Sequence, residues 1–202
     1  MTRKLAQTIS IIFHPLLMPT IGLLFLIYSG SYISLLPFEA KKLIIIVIAI
    51  NTLALPLLMI PLFYRFGIIK SIQMHEHRER IIPLGFTLIP YLFTFYFLNK
   101  LPIPNLLSTF VLGASIAIII TIIVSIWWKI SVHMIGIGGL AGFIFAFSYR
   151  LYIDVLAFII VAFVVAGAIA WARLSLNAHK PSQVYAGFGV GWLVMILSLF
   201  FV

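Results

Sequence analysis

Apolar residues in this chain come in long unbroken runs, without the alternation of a half-buried strand or the stripe of a water-facing helix. The runs lie at about residues 8–29, 43–64, 81–98, 105–128, 132–149, 152–172 and 184–202. Each comes close to the ~20 residues that an α-helix needs to cross ~30 Å of hydrocarbon. Backbone in hydrocarbon must satisfy its own hydrogen bonds, and single runs of this length do so as helices. The pattern therefore predicts an all-α, polytopic transmembrane bundle of about six to seven spans. Pro83 and Pro90 predict a kink in the short third span. Pro15 and Pro19 make the first run irregular, which leaves a re-entrant or interfacial course open beside a full crossing.

Composition narrows the picture. Of 202 residues, 64% are hydrophobic and 8% charged, more apolar surface than a water-soluble domain can hide. Spans and short loops use up the length, so residues 1–202 are expected to form one integral membrane domain. Cysteine is absent, which excludes disulfides, thiolate catalysis and cysteine metal sites. The start, Met1-Thr2-Arg3-Lys4 before a long apolar run, reads as a retained first span; a cleaved signal needs a shorter apolar core and a small-residue cleavage site. The net charge of +9 comes without a basic groove interleaved with aromatics, so nucleic acid is not the expected partner. Anionic headgroups or a phosphorylated substrate are.

The polar connections hold the chemistry. Arg65 to Arg80, Lys129 to His133 and Arg173 to Gln183 are each separated by two crossings, so all three are expected on one membrane face. Counting the N-terminus, that face carries nine Lys and Arg against four (Lys41, Lys42, Lys100 and Arg150). The positive-inside rule would make it cytoplasmic. Removing Arg78, Arg80, Lys129 and Arg173 as recruited for substrate leaves five against four, which decides no orientation.

Within Ala172-Arg173-Leu174-Ser175-Leu176-Asn177-Ala178-His179-Lys180-Pro181-Ser182-Gln183, a helix end, a loop and a helix start would let Arg173, His179 and Gln183 converge. The start of the last span would add anion affinity. A cation cluster touching headgroups is the plainer alternative. Ser131-Val132-His133 opens span five in the same way, beneath Trp127-Trp128, which read as an interfacial aromatic belt. The pair His75-x-His77 lacks a third ligand at metal spacing, so Met74 to Arg80 reads first as a solvated turn with internal ion pairs. Gly136, Gly138, Gly139, Gly142, Gly187 and Gly191 read as close helix packing, not as a phosphate loop. Asp154, four residues after Arg150, is expected to pair with it at the far interface. His14-Pro15 has no visible partner and is assigned no role.

These residues, taken together, resemble the type 2 phosphatidic acid phosphatase and vanadium haloperoxidase superfamily over about residues 70–191. That family carries Lys-x6-Arg-Pro, then Pro-Ser-Gly-His, then Ser-Arg-x5-His-x3-Asp. The third piece is similar to Ala172-Arg173, five residues, His179, three residues, Gln183, continuing through Val184, Gly187 and Gly191. The second is similar to Ile130-Ser131-Val132-His133, without the proline and glycine. The first is degenerate: Lys70, Arg78 and Arg80 precede Pro83, but the family's spacing from Lys70 lands on His77.

The resemblance implies that His179 attacks phosphorus to form a phosphohistidine and that His133 protonates the leaving oxygen. It also implies that Arg173, Arg78 or Arg80 and Lys70 hold the phosphate, helped by Ser131, with no metal and no cofactor. Cations around His179 would keep it neutral and nucleophilic and stabilise charge on the equatorial oxygens. Gln183 stands where the family has aspartate. It can accept the proton on the nucleophile's other nitrogen but supplies no charge, and a comparable Asp-to-Asn change in a serine protease costs ~10⁴ in rate. The expected function is an integral membrane phosphatase of a lipid phosphate: phosphatidate, a polyprenyl (di)phosphate or a lipid A phosphate. The alternative is an impaired relic that binds anionic lipid or serves as a structural subunit. A bacterial inner membrane is the expected location. A transporter fits less well, because the polar residues gather at one face instead of the midplane.

Overall fold

The computed structural model describes residues 2–72, 74 and 76–201. Its helices are α1 (Thr2–Ile12), α2 (Met18–Tyr28), α3 (Phe38–Ala49), α4 (Leu55–Arg65), α5 (Ile81–Leu98), α6 (Asn105–Ser125), α7 (Val132–Leu151), α8 (Leu156–Ser175) and α9 (Pro181–Phe201). Among the described residues, seven helical stretches are long and apolar enough to cross a bilayer: 2–28, 38–65, 78–98, 105–125, 132–151, 156–175 and 181–201. The chain is thus an all-α, multi-pass integral membrane protein.

Two of the seven stretches are interrupted. In the first, α1 and α2 are separated by Phe13-His14 and a 3₁₀ turn at Pro15–Leu17. A residue before proline is pushed out of the helical region, and His14 is extended at φ −64° and ψ 138°. In the second, the π-helical turn Ile50–Ala54 joins α3 to α4. Pro56 has no N–H to return to the preceding turn. The carbonyl of Thr52, four residues before it, accepts the Tyr91 hydroxyl from α5 at 3.4 Å instead. The third stretch stays one α-helix through Pro90, with Pro83 in its first turn, where a missing N–H costs least.

The central contact joins α7 and α9, and glycine makes it close. A Cβ on Gly187 would lie 2.7 Å from the Ser131 carbonyl oxygen, and one on Gly142 would lie 2.5 Å from the Trp192 carbonyl oxygen. Gly138 against Phe188 and Gly191 against Ile135 are tighter still. Small residues let membrane helices approach to backbone contact. As a result, the starts of α7 and α9 lie side by side, and the Ser131 N–H donates to the Gln183 carbonyl at 3.3 Å.

One expectation at the far end fails. Asp154 does not pair with Arg150; its Oδ1 accepts the Leu156 N–H at 3.0 Å and caps the start of α8. Arg150 donates instead to the Leu199 carbonyl. A carboxylate two residues ahead of a helix satisfies an orphan N–H locally, whereas the arginine is drawn to the last turn of α9.

Candidate functional site

The helix ends on one face surround a cavity of about 590 Å³. Its polar end is walled by His14, Arg80, His133, Arg173 and His179, and its remaining wall includes Pro56, Pro61, Phe110, Ile118, Leu140 and Met195. Among the described residues, no Asp or Glu lines it. Leu57, Leu58 and Ile72 also line it, and each is more than half exposed. The cavity is therefore not closed on its apolar side, where Leu57 and Leu58 belong to α4, part of the second apolar stretch. Three loops far apart in the chain converge at its polar end.

Each polar side chain reaches the cavity from a helix end. α8 closes on Asn177 in the left-handed region at φ 51°, where asparagine is tolerated, and the Ala178 N–H returns to the Arg173 carbonyl at 3.1 Å. This turn points the chain back so that His179 stands two positions before the first residue of α9. Lys180 caps α9, Pro181 occupies its first position, and Gln183 reaches back from the third, its Oε1 accepting the Lys180 N–H at 3.0 Å. That contact is half of a capping box.

The cap also sets the chemistry of His179. A backbone N–H can only donate, so the Gln183 atom facing Lys180 is the oxygen and not the amide nitrogen. The same oxygen lies 3.2 Å from His179 Nδ1, and the Lys129 carbonyl lies 3.3 Å from it. Both partners are acceptors, so Nδ1 carries the proton and Nε2 keeps its lone pair. Burial first, then the charges of Arg80 and Arg173, lower the His179 pKa to about 4, against a smaller upward pull from Gln183. The imidazole is therefore neutral at neutral pH. Lys129, just outside the membrane helices, is also shifted down by burial and by Arg80 and Arg173.

His133 is oriented by a helix that sequence reasoning had left aside. Its Nε2 lies 3.1 Å from the Ser10 carbonyl at the end of α1, an acceptor, so Nε2 donates. Nδ1 is the nitrogen left for proton exchange. The Ser10 hydroxyl also accepts from Arg173 Nη1 at 3.3 Å. Arg80 is almost fully buried, and its guanidinium donates to the Met74 carbonyl through Nε at 3.4 Å and Nη2 at 3.3 Å, and to the Ile130 carbonyl through Nη1 at 3.2 Å. Bonds to the carbonyls of two separate loops fix a rigid cation beside His179.

Three expected phosphate ligands are not in the cavity wall. Lys70 is exposed and pairs with Glu76 at 3.0 Å, the hydrogen bond raising its pKa. Arg78 is exposed as well. Arg78–Arg80 is a single 3₁₀ turn, and side chains two apart on such a turn do not share a face, so only Arg80 points inward. Ser131 is fully buried and does not line the cavity, and among the described residues its hydroxyl meets no hydrogen-bond partner. Gln183 supports His179 from behind and does not line the cavity.

The metal reading of His75-x-His77 falls on His75, outside the described residues; His77 Nδ1 lies 2.7 Å from the Ser125 carbonyl and ties this loop to the end of α6. Ser10 and His14 were missed. The available signal was His14 itself: an ionisable side chain inside an apolar run, directly before proline, is by default a site residue. Compared with family models, curated proteins and solved structures, the chain finds no match.

Proposed function

We propose that the protein is an integral membrane phosphatase that hydrolyses a lipid phosphate through a phosphohistidine intermediate. The observation that carries this reading is His179: Nδ1–H is held by two acceptors, leaving the Nε2 lone pair free, in a wall shared with two guanidinium groups and a second imidazole. Nε2 attacks phosphorus as the bond to the lipid oxygen breaks; His133 Nδ1, whose lone pair takes up the proton of the entering monoanionic phosphate, passes that proton to the departing oxygen, so a lipid alcohol leaves. Water then attacks the phosphohistidine, His133 takes the water's proton, and inorganic phosphate departs with His179 restored. Arg80 and Arg173 hold the oxygens on which charge accumulates, which is how phosphoryl transfer is chiefly accelerated.

An anion site at the end of a cavity that is not closed on its apolar side suits a substrate with a phosphorylated head and buried tails. Phosphatidate, a polyprenyl (di)phosphate and a lipid A phosphate all meet that description, and a bacterial inner membrane would supply them. The degenerate likeness to the type 2 phosphatidic acid phosphatases supports the same reading.

Gln183 favours a second reading, in which the chain binds anionic lipid and turns it over poorly or not at all. Its amide fixes the His179 tautomer but cannot balance the positive charge that develops on the ring. Phosphate release from several lipid phosphates by the detergent-purified protein, beside His179→Ala and Gln183→Asp, separates the two. Turnover abolished by His179→Ala supports the enzyme, and turnover appearing only in Gln183→Asp supports the relic. Equal rates in parent and His179→Ala would refute catalysis by His179.

A further inference from the structure

We infer that His14, from the break in the first span, donates a neutral hydrogen bond from Nε2–H to an oxygen of the bound phosphate. This rests on the phosphate reading of the cavity and adds to it an element outside the three loops that suggested it.

The tautomer follows from the backbone. With Pro15 next in the chain, His14 is extended and its side chain turns back over the 3₁₀ turn, where Nδ1 accepts the Leu16 N–H at 3.3 Å. A ring nitrogen that accepts carries no hydrogen, so the hydrogen is on Nε2. An imidazolium would have to break this cap, because its Nδ1–H would face another N–H.

The position follows from a glycine. His133 and Gly136 share one face of the first turn of α7. A Cβ on Gly136 would stand 3.4 Å from Pro15 Cα and 3.1 Å from Met18 Cγ. The missing side chain lets the break seat directly on α7, with the His14 ring 5.5 Å from that of His133, edge to face at 75°. Both rings line the cavity with Arg80, Arg173 and His179.

The ligand follows from what is left over. Among the described residues, no protein acceptor meets Nε2–H, and no carboxylate lines the cavity to supply one. A donor left in such a wall calls for an acceptor from the bound molecule. Guanidinium groups already stand there, and a neutral N–H adds a phosphate contact without adding repulsion. His14 would then be a binding residue and His133 the proton carrier, because the backbone partner leaves an N–H free on the first ring and a lone pair free on the second.

Two substitutions separate this role from simple capping. His14→Gln sets an amide N–H near the place of Nε2–H; His14→Asn keeps an acceptor near Nδ1, and so keeps the cap, but loses the distant donor. The full chain in detergent is titrated with orthovanadate by calorimetry, with melting midpoints measured alongside. The expected result is affinity within about 3-fold of the parent for His14→Gln, and at least 10-fold weaker for His14→Asn at an unchanged or higher midpoint. Parental affinity in His14→Asn, or loss confined to His14→Gln, overturns the inference. A parent that binds vanadate but releases no phosphate from lipid phosphates ends the phosphatase reading alone, and the two variants still decide His14. A parent that binds none overturns both.

Discussion

Gly187 controls how far apart the two halves of the site stand, so Gly187→Ala is the sharpest test of the geometry. The added Cβ would meet the Ser131 carbonyl oxygen at 2.7 Å and Met134 Cβ at 3.1 Å, against 3.4 Å or more for ordinary contact. The closest obstacle is backbone at the start of α7, where the same carbonyl accepts the Ile135 N–H at 3.0 Å, so no rotamer change relieves it. α7 and α9 must separate by about 0.7 Å there. That moves Ser131-Val132-His133 away from the turn that carries His179 and Gln183, and it stretches the bond from the Ser131 N–H to the Gln183 carbonyl.

Acid–base groups act over roughly 2.6–3.2 Å, and a displacement of ~1 Å costs about 10²-fold in rate. The expected loss in kcat is therefore ~10- to 100-fold. Overpacking costs ~1–3 kcal/mol of stability, partly offset by the better helix propensity of alanine. Gly189→Ala is the control: it lies on the same helix with nothing within 4 Å of its Cβ. It should leave kcat unchanged and the melting midpoint equal or higher. Phosphate release and thermal unfolding in the same detergent read both quantities. Parental kinetics in Gly187→Ala, or equal losses in the two variants, would refute the claim that this contact sets the spacing of the imidazoles.

Three further outcomes follow from the same residues. With the His179 pKa near 4, below the ordinary 6.5, kcat/KM should keep full contribution from the neutral ring down to about pH 5, after correction for substrate ionisation. Between pH 6.5 and 4 the unfolded chain binds a proton that folded His179 refuses, so this group's contribution to stability falls as pH drops through that window and is flat above it; an acid limb near 6.5 assigned to His179 would contradict this. Gln183→Glu keeps the reach to Nδ1 and adds a carboxylate, so turnover should rise about 10-fold or more, with the acid limb moving up; a pH–rate profile unchanged in both respects would show that charge at this position is irrelevant. Arg80→Lys keeps a cation but loses the fork that joins the Met74 and Ile130 carbonyls, so KM should rise at least 10-fold with a lower melting midpoint; parental values in both would argue against Arg80 as a fixed phosphate ligand.

The all-α, membrane-spanning class was legible from the chain alone, because bilayer thickness converts directly into run length and hydrocarbon allows few backbone solutions. The pairing of His179 with Gln183 was expected only through the family resemblance, whose third motif sets the nucleophile's partner four residues on; His179 itself stands outside α9. The glycines of α7 and α9 announced a close contact, and their spacing marked its side. Other features depended on the approach of distant backbones. The Ser10 carbonyl meets His133 across 123 residues, and nothing local in either segment encodes that bond. Lys70 and Arg78 carry the charge expected of phosphate ligands, but the course of their loop leaves one ion-paired and both exposed, while Arg80 on the same turn is buried. Local sequence determines which side chains a helix end carries. Only the packing of one helix end against another decides which of them face the same cavity, because that depends on the direction in which each chain arrives.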